Sequence, residues 1–183
     1  MDEAESLNRA INEEIVLCPY SAVWPILFEE ERARLVHLFS NRLVAIEHIG
    51  STAVPGLSAK PVIDILAGVD SMAQADALIK PLCDSRYTTS LAYNATLTDR
   101  RWLMRWANGR RTHHLHLMVY GSEVWNQRLA FRNCLRESAE LAQQYEMNKR
   151  QWAAEFKTDR EAYTAAKGEF IQRALRSASQ SSL

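Results

Sequence analysis

The sequence shows no excess of either charge: of its 183 residues, 22 are basic and 22 acidic, so the formal net charge is zero. Proteins that bind nucleic acids through the phosphate backbone usually carry excess basic residues, so this balance argues against a nucleic-acid partner. It favours a small phosphorylated ligand that is recognised locally. With 47% apolar and 24% charged residues, the composition is that of a folded globular protein.

Long apolar runs and paired cysteines are also missing. No apolar segment approaches the roughly 20 residues that a membrane-spanning helix needs, and no signal-peptide pattern opens the chain. The three cysteines, Cys18, Cys83 and Cys134, lie far apart and form no Cys-x-x-Cys pair. We therefore expect reduced thiols, a cytoplasmic location and no membrane partner.

The order of the expected elements predicts an α+β fold in one domain over residues 1–183, with a core from about 15 to 176 and flexible ends at 1–12 and 177–183. A first helix begins near Pro19, and three helices form the C-terminal third. The expected strands cover 42–49, 62–69, 86–93, 101–107 and 112–120, with a helix from 71 to about 83 after the second strand. Asn108-Gly109 predicts a hairpin between the last two strands. The sheet is therefore expected to be mixed and to have four or five strands.

The most informative segment joins the first two strands. The first strand ends at Gly50-Ser51, and the second contains one acidic residue, Asp64, in an otherwise apolar run. An ionised carboxylate there is costly unless it is paired or binds a metal. Backbone N–H groups and the hydroxyl of a Gly-Ser turn can bind an anion. The alternatives are an ordinary turn and a structural pair of Asp64 with an arginine or with backbone N–H groups.

Histidines supply the other candidates for chemistry. Strand alternation places His114 and His116 on one face, where two imidazoles and a nearby carboxylate such as Asp64 could hold one metal ion. A single strand histidine is more often structural, and His113 points to the other face. His48, two residues before the Gly-Ser turn, is the candidate general base.

Basic and aromatic side chains complete the set of candidate ligand-binding residues. Lys60, four residues before Asp64, is placed to neutralise a phosphate, although exposure to solvent is the commoner state of a lysine. Arg101 and Arg132 are candidate clamps for a phosphate or carboxylate group. Trp102 or Tyr145 could stack on a nucleobase, although tryptophans and tyrosines mostly belong to the core.

Several of these residues lie in motifs that resemble those of the GrpB family. The segment 48–57 (HIGSTAVPGL), then Ala59-Lys60-Pro61 and Ile63-Asp64-Ile65, is similar to the signature of that family. His114-Leu115-His116, the helical segment 129–136, Tyr145 with Lys149, and the segment 163–171 continue the similarity, which extends from about 15 to 175. Thr52, in the first block, and Lys149 join the candidate ligand-binding residues.

The resemblance implies a nucleotidyltransferase-like fold in which a mixed sheet carries a Gly-Ser turn and metal-binding carboxylates. Some members of the family are fused to dephospho-CoA kinase, which hints at nucleotide or coenzyme A metabolism. Active nucleotidyltransferases place two carboxylates at alternating positions of the strand after Gly-Ser, because two metal ions are held on one face. Here Val62 and Leu66 stand two residues before and after Asp64, so one carboxylate remains.

Two hypotheses follow from the single carboxylate. In the first, His114 and His116 replace the missing acid, and a divalent metal (Mg²⁺, Mn²⁺ or Zn²⁺, with the softer ions favoured) supports nucleotidyl transfer. In the second, the protein binds a nucleotide or another phosphorylated molecule without transferring anything, as an accessory module. The sequence leaves both open.

Overall fold

The structure, a computed structural model, describes residues 3–12, 16–156 and 159–180. Within these ranges the helices are α1 (Glu3–Asn12), α2 (Val23–Phe39), α3 (Met72–Asp84), α4 (Leu91–Ala95), α5 (Glu123–Glu137), α6 (Ala139–Glu155) and α7 (Arg160–Gln180). The strands are β1 (Ala45–Ile49), β2 (Ile63–Val69), β3 (Tyr87–Thr89), β4 (Arg100–Ala107) and β5 (Arg110–Val119). A 3₁₀ turn, Ser51–Ala53, follows β1.

The strands form one sheet in the order β1-β2-β5-β4-β3. Strands β2 and β5 are parallel, and the other neighbouring pairs are antiparallel. The predicted α+β class, with a mixed sheet, an N-terminal helix and a helical C-terminal third, is confirmed. In this register Asp64 lies opposite Ile49 on one side and opposite His114 on the other.

The two faces of the sheet pack against different helices. Ile63, Ile65 and Leu115 belong to the main core together with apolar residues of α2 and α3. On the other face, Leu66 and Met118 pack against Trp125 of α5, in a smaller core. Because side chains alternate along a strand, Asp64, His114 and His116 project from the face that carries α5.

A third apolar cluster attaches the C-terminal helices to the segment that follows β1. Val54 and Leu57 from that segment pack against Leu135 of α5, Tyr145 of α6 and Phe170 of α7. The rings of Tyr145 and Phe170 stack with their centroids 5.3 Å apart. Burial of these side chains therefore brings α6 and α7 against the Gly-Ser turn.

Local chemistry explains where the elements differ from those expected. The expected strand over 86–93 ends at Thr89, because the Ser90 hydroxyl accepts a hydrogen bond from the Tyr93 N–H (3.1 Å) and so caps α4. The Asn108-Gly109 hairpin is confirmed, with φ angles of 51° and 71° that suit its two-residue turn. The ends expected to be flexible are helical in their described parts, as α1 and as the last turn of α7.

The structure also bears on two expectations from composition. Cys18, Cys83 and Cys134 form no disulfide bond among the described residues, in agreement with the prediction. None of the helices in the described part of the chain has the length and the apolar character that are required to cross a bilayer.

A buried carboxylate ties α2 to the sheet on the face opposite Asp64. Glu31, 3% exposed, accepts hydrogen bonds from the Tyr87 hydroxyl (2.6 Å), from Arg34 (2.6 Å) and from Arg105. Burial raises the pKa of Glu31, but the hydrogen bonds from Arg34 and Tyr87 outweigh it, so the pKa lies below its ordinary value. The carboxylate is therefore ionised at neutral pH and holds three elements together.

We expect Glu31→Gln to lower the free energy of unfolding by about 3 kcal/mol, because the two arginines lose the charge that compensates them. Glu29→Gln, on the same helix, removes only an exposed ion pair with Arg32 and should cost less than about 1 kcal/mol. Urea-induced unfolding measures both values. Equal losses in the two variants would contradict a structural role for the Glu31 network.

Candidate metal and phosphate site

Asp64, His114 and His116 form one cluster, with ligand atoms that all lie within 4.8 Å of one another. The Asp64 Oδ1 atom is 2.9 Å from His114 Nδ1. Two ring nitrogens of the cluster, His114 Nε2 and His116 Nδ1, are buried and have no hydrogen-bond partner among the described residues. Buried polar atoms are normally satisfied, and an imidazole nitrogen with a free lone pair is a common metal ligand. The three side chains therefore fit a metal ion.

The protonation states of the cluster suit metal binding. Burial raises the pKa of Asp64, but the hydrogen bond with His114 and the charges of His114 and His116 lower it to about 2. Burial, assisted by the charge of Arg128, lowers the pKa of His116 well below its ordinary value. At neutral pH the carboxylate is ionised and His116 is neutral, and these are the forms that coordinate metals.

The Gly-Ser turn packs directly on the Asp64 carboxylate. Gly50 has a φ of 73°, and a Cβ atom at this position would lie 2.5 Å from Asp64 Oδ2. Only glycine allows both the backbone conformation and the close approach. The turn therefore places Ser51 next to the cluster.

Lys149 on α6 contacts the Gly50-Ser51 turn at Ser51. Its Nζ atom donates hydrogen bonds to Ser51 Oγ (3.0 Å) and to the Ser58 carbonyl (2.9 Å), and it lies 4.9 Å from the centre of the Tyr145 ring. The side chain is 5% exposed. Burial, together with the charge of Lys167, lowers the pKa of Lys149 to about 8. The turn thus carries a buried cation that is still mostly charged at neutral pH.

Sequence reasoning missed two further cations at this site. Lys167 on α7 contributes to the low pKa of Asp64. Burial and the charge of Arg100 lower the pKa of Arg128 on α5, and the Asp64 carboxylate raises it. The signal for Arg128 was its spacing from Arg132, because residues four apart lie on the same face of a helix.

Two predicted residues lie on the opposite face of the sheet. His48 is buried, stacks on Phe28 of α2 with the ring centroids 4.7 Å apart, and its Nε2 atom is 3.0 Å from Thr52 Oγ1. Burial lowers the pKa of His48 to about 4. Thr52 is buried as well. The structure therefore does not bring the candidate base His48 or the candidate ligand residue Thr52 to the side of the sheet that carries Asp64.

The remaining predicted cations are distributed around the fold. Arg101 forms an ion pair with Asp76 of α3, also on the opposite face. Arg132 donates hydrogen bonds to Glu47 (2.7 Å) and to the His48 carbonyl (3.0 Å), which fastens α5 to β1. Lys60 lines a surface groove next to the β4–β5 hairpin turn. Of the predicted ligand-binding residues, Gly50 packs against Asp64, Ser51 follows it in the turn, and Lys149 is hydrogen-bonded to Ser51.

Comparison with known proteins agrees with the motifs around this site. The model of the family described as GrpB protein matches residues 14–177. The chain belongs to the GrpB family. UPF0157 protein YqkA of Bacillus subtilis is 34% identical over 161 residues, covering 88% of this chain and 46% of that protein, so the chain spans about half the length of YqkA. Glutamate-rich protein GrpB of Alkalihalophilus pseudofirmus is 29% identical over 88% of this chain and 94% of its own length.

The fold and one segment of the chain have further relatives. The crystal structure of conserved protein GrpB from Enterococcus faecalis has a TM-score of 0.75 and 31% identity, and the match covers 89% of this chain and 99% of that one. A shorter match, 39% identical over 74 residues, relates 39% of this chain to 18% of a dephospho-CoA kinase of Mycolicibacterium paratuberculosis. The family's fold is thus shared, and the likeness to the kinase is partial.

We expect Gly50→Ala to be more destabilising than Gly56→Ala. Both glycines have positive φ, at 73° and 82°, but an added Cβ atom at Gly56 meets nothing within 4 Å. Gly56→Ala should therefore cost about 1–2 kcal/mol for its positive φ alone. Gly50→Ala should cost about 1–3 kcal/mol more, because its φ of 73° and ψ of −173° suit glycine alone and because the added Cβ would displace the Asp64 carboxylate. Urea-induced unfolding of both variants measures the difference. Equal costs would show that the turn does not press on Asp64.

Proposed function

We propose that this protein binds a nucleotide or another small phosphorylated molecule at Gly50-Ser51, together with a divalent metal ion held by Asp64, His114 and His116. The proposal is carried by the direct contact between the Gly50-Ser51 turn and the cluster of Asp64, His114 and His116. The carboxylate-imidazole cluster touches the turn, and the hydroxyl of the turn is bonded to a buried lysine, Lys149. A metal-bound phosphate needs both a cation for its oxygens and polar donors next to it.

The charges around Asp64 support an anionic ligand. The charge of Lys167 acts on both Lys149 and the Asp64 carboxylate, and that carboxylate acts on Arg128. Three cations are thus gathered near one carboxylate, although the net charge of the chain is zero. Burial is the main cause of the low pKa of Lys149, and the charge of Lys167 lowers it further. The second effect indicates that the two lysines lie close together. An anion placed among them would relieve this repulsion.

The donor set bears on the choice of metal. Two imidazoles and one carboxylate suit Zn²⁺ or Mn²⁺ better than Mg²⁺, which prefers oxygen ligands. When bound, such an ion would polarise a phosphoryl group next to it. Ser51 and Lys149 would orient and neutralise the same phosphate.

Nucleotidyl transfer is the reaction class that this arrangement suits, and the partial similarity to a dephospho-CoA kinase points to nucleotide or coenzyme A metabolism. The second candidate is a binding module without catalysis. It is favoured by Val62 and Leu66, both buried, at the positions where transferases carry a second carboxylate. Metal-dependent release of pyrophosphate from a nucleoside triphosphate would decide for the transferase.

Calorimetry with ATP and with inorganic tripolyphosphate, each with Mn²⁺ or Zn²⁺, tests the proposal. We expect Asp64→Asn to weaken metal-dependent binding at least about tenfold, and Lys149→Met to weaken binding of both ligands because the cation at Ser51 is lost. Asp76→Asn, an exposed carboxylate paired with Arg101 on the opposite face, is the matched control and should bind like the parent. Undiminished binding of both ligands by Asp64→Asn would refute the proposed site.

The affinity for ATP, measured without added metal, should fall as the pH rises through about 8. Lys149, whose pKa is about 8, is charged below that pH and loses its proton above it, so the favourable charge at Ser51 disappears. The decrease should amount to about tenfold or less, since other cations remain. In Lys149→Met the affinity should be lower but nearly independent of pH over this range. A parent protein with a flat profile would contradict the role of Lys149.

A further inference from the structure

One aromatic side chain lies next to the Asp64 cluster and has no part in the function proposed above. Trp102 on β4 is opposite His116 in the sheet register, so both side chains project from the face that carries Asp64. Its ring centroid is 5.6 Å from that of His114, and the two planes are inclined by 59°. The side chain is only partly buried. An indole is therefore available at the edge of the candidate site.

The backbone of Trp102 is fixed by a buried polar side chain. Its N–H donates to Asn94 Oδ1 (2.8 Å), and its carbonyl accepts hydrogen bonds from Asn94 Nδ2 (3.1 Å) and from Thr89 Oγ1 (2.6 Å). Asn94 is 3% exposed. Tyr93 meets the indole edge to face, with centroids 5.4 Å apart, and is itself 40% exposed. The indole is thus held in place before any ligand arrives, which lowers the entropic cost of stacking on it.

The order of the strands places the parts of the site along a diagonal of the sheet. The Gly50-Ser51 turn follows the end of β1, Asp64 and His114 lie opposite each other on β2 and β5, and Trp102 on β4 lies two residues along from Met104, the partner of His114. With about 4.8 Å between neighbouring strands and about 3.4 Å per residue along them, the line from the end of β1 to Trp102 is roughly 16 Å long. A sugar and a chain of phosphates fit between an aromatic group at one end and a phosphate-binding turn at the other.

Tyr145, the second aromatic candidate for stacking, is excluded by its position. It is 3% exposed and stacks on Phe170 within the cluster of the C-terminal helices. Its ring serves the core and lies beneath Lys149. Trp102 is therefore the remaining candidate for stacking on a nucleobase.

We propose that Trp102 stacks on the base of a nucleotide that lies across the sheet, with its phosphates at Gly50-Ser51 and its base over β4. The inference rests on the proposed function, because it names the part of the ligand that the phosphate and metal site leaves undefined. Stacking on an aromatic side chain tolerates every base, since each base has a π face. The stacked contact therefore selects nucleotides over simple phosphates, and Trp102 is the residue that determines this selectivity.

The test compares tripolyphosphate with the four ribonucleoside triphosphates by calorimetry, with the same metal ion. The parent should bind the preferred triphosphate about 5- to 150-fold more tightly than tripolyphosphate, the range that one stacked base provides. Trp102→Ala should remove this advantage and leave the affinity for tripolyphosphate unchanged. Trp102→Phe should keep most of it, because a smaller aromatic face remains.

Indole fluorescence gives a second readout if Trp102→Ala does not fold. Nucleotide should quench the fluorescence of the parent and of Trp106→Phe, a matched change on the same strand, but not that of Trp102→Phe. Equal affinities of the parent for nucleotide and tripolyphosphate, or quenching that persists in Trp102→Phe, would overturn the inference and leave the phosphate site intact. Failure of the parent to bind tripolyphosphate would instead defeat the function proposed above.

Discussion

The site depends on one ionised carboxylate in the middle of an apolar sheet. Asp64 stays charged because His114 shares a hydrogen bond with it and because the positive charge of Lys167 favours the ionised form. Without these groups, burial would favour the neutral acid, and the cost of keeping the charge would act against folding. The same carboxylate limits the residue beside it to glycine, so the geometry of the turn and the charge of the strand are parts of one constraint.

The C-terminal helices add a cation to the turn beside Asp64. They are held by apolar packing against Val54 and Leu57, and this packing brings Lys149 to Ser51. Two hydrogen bonds and a contact with the Tyr145 ring offset the cost of burying the Lys149 ammonium group. A domain whose helices were attached less firmly would let water reach the lysine and raise its pKa towards the ordinary value. Core packing and the electrostatics of the turn are therefore coupled.

Strand periodicity was sufficient to predict that Asp64, His114 and His116 meet, because each lies in a clear strand and the two histidines share a parity. Strand periodicity was insufficient for His48 and Arg101, because the side of the sheet on which they lie is set by the register with the neighbouring strand. Asp64 pairs with Ile49, which turns His48 to the α2 side, and Arg101 pairs with Leu117 of the main core. The cation at Ser51, Lys149, lies 98 residues away on α6. The resemblance to the GrpB family made it a candidate, but its hydrogen bond to Ser51 follows from tertiary packing alone.

The presence of a single carboxylate has a consequence for the charge of the proposed site. In a site with two carboxylates, the protein neutralises a divalent ion with its own ligands. Here one carboxylate and two imidazoles would leave a bound ion with a net positive charge, and Lys149 and Arg128 lie on the same side of the sheet. A low-dielectric surrounding strengthens the attraction of this arrangement for an anion. Under the proposed function, a phosphate would therefore balance the remaining charge of the ion, and the cations Lys149 and Arg128 would act on the same phosphate.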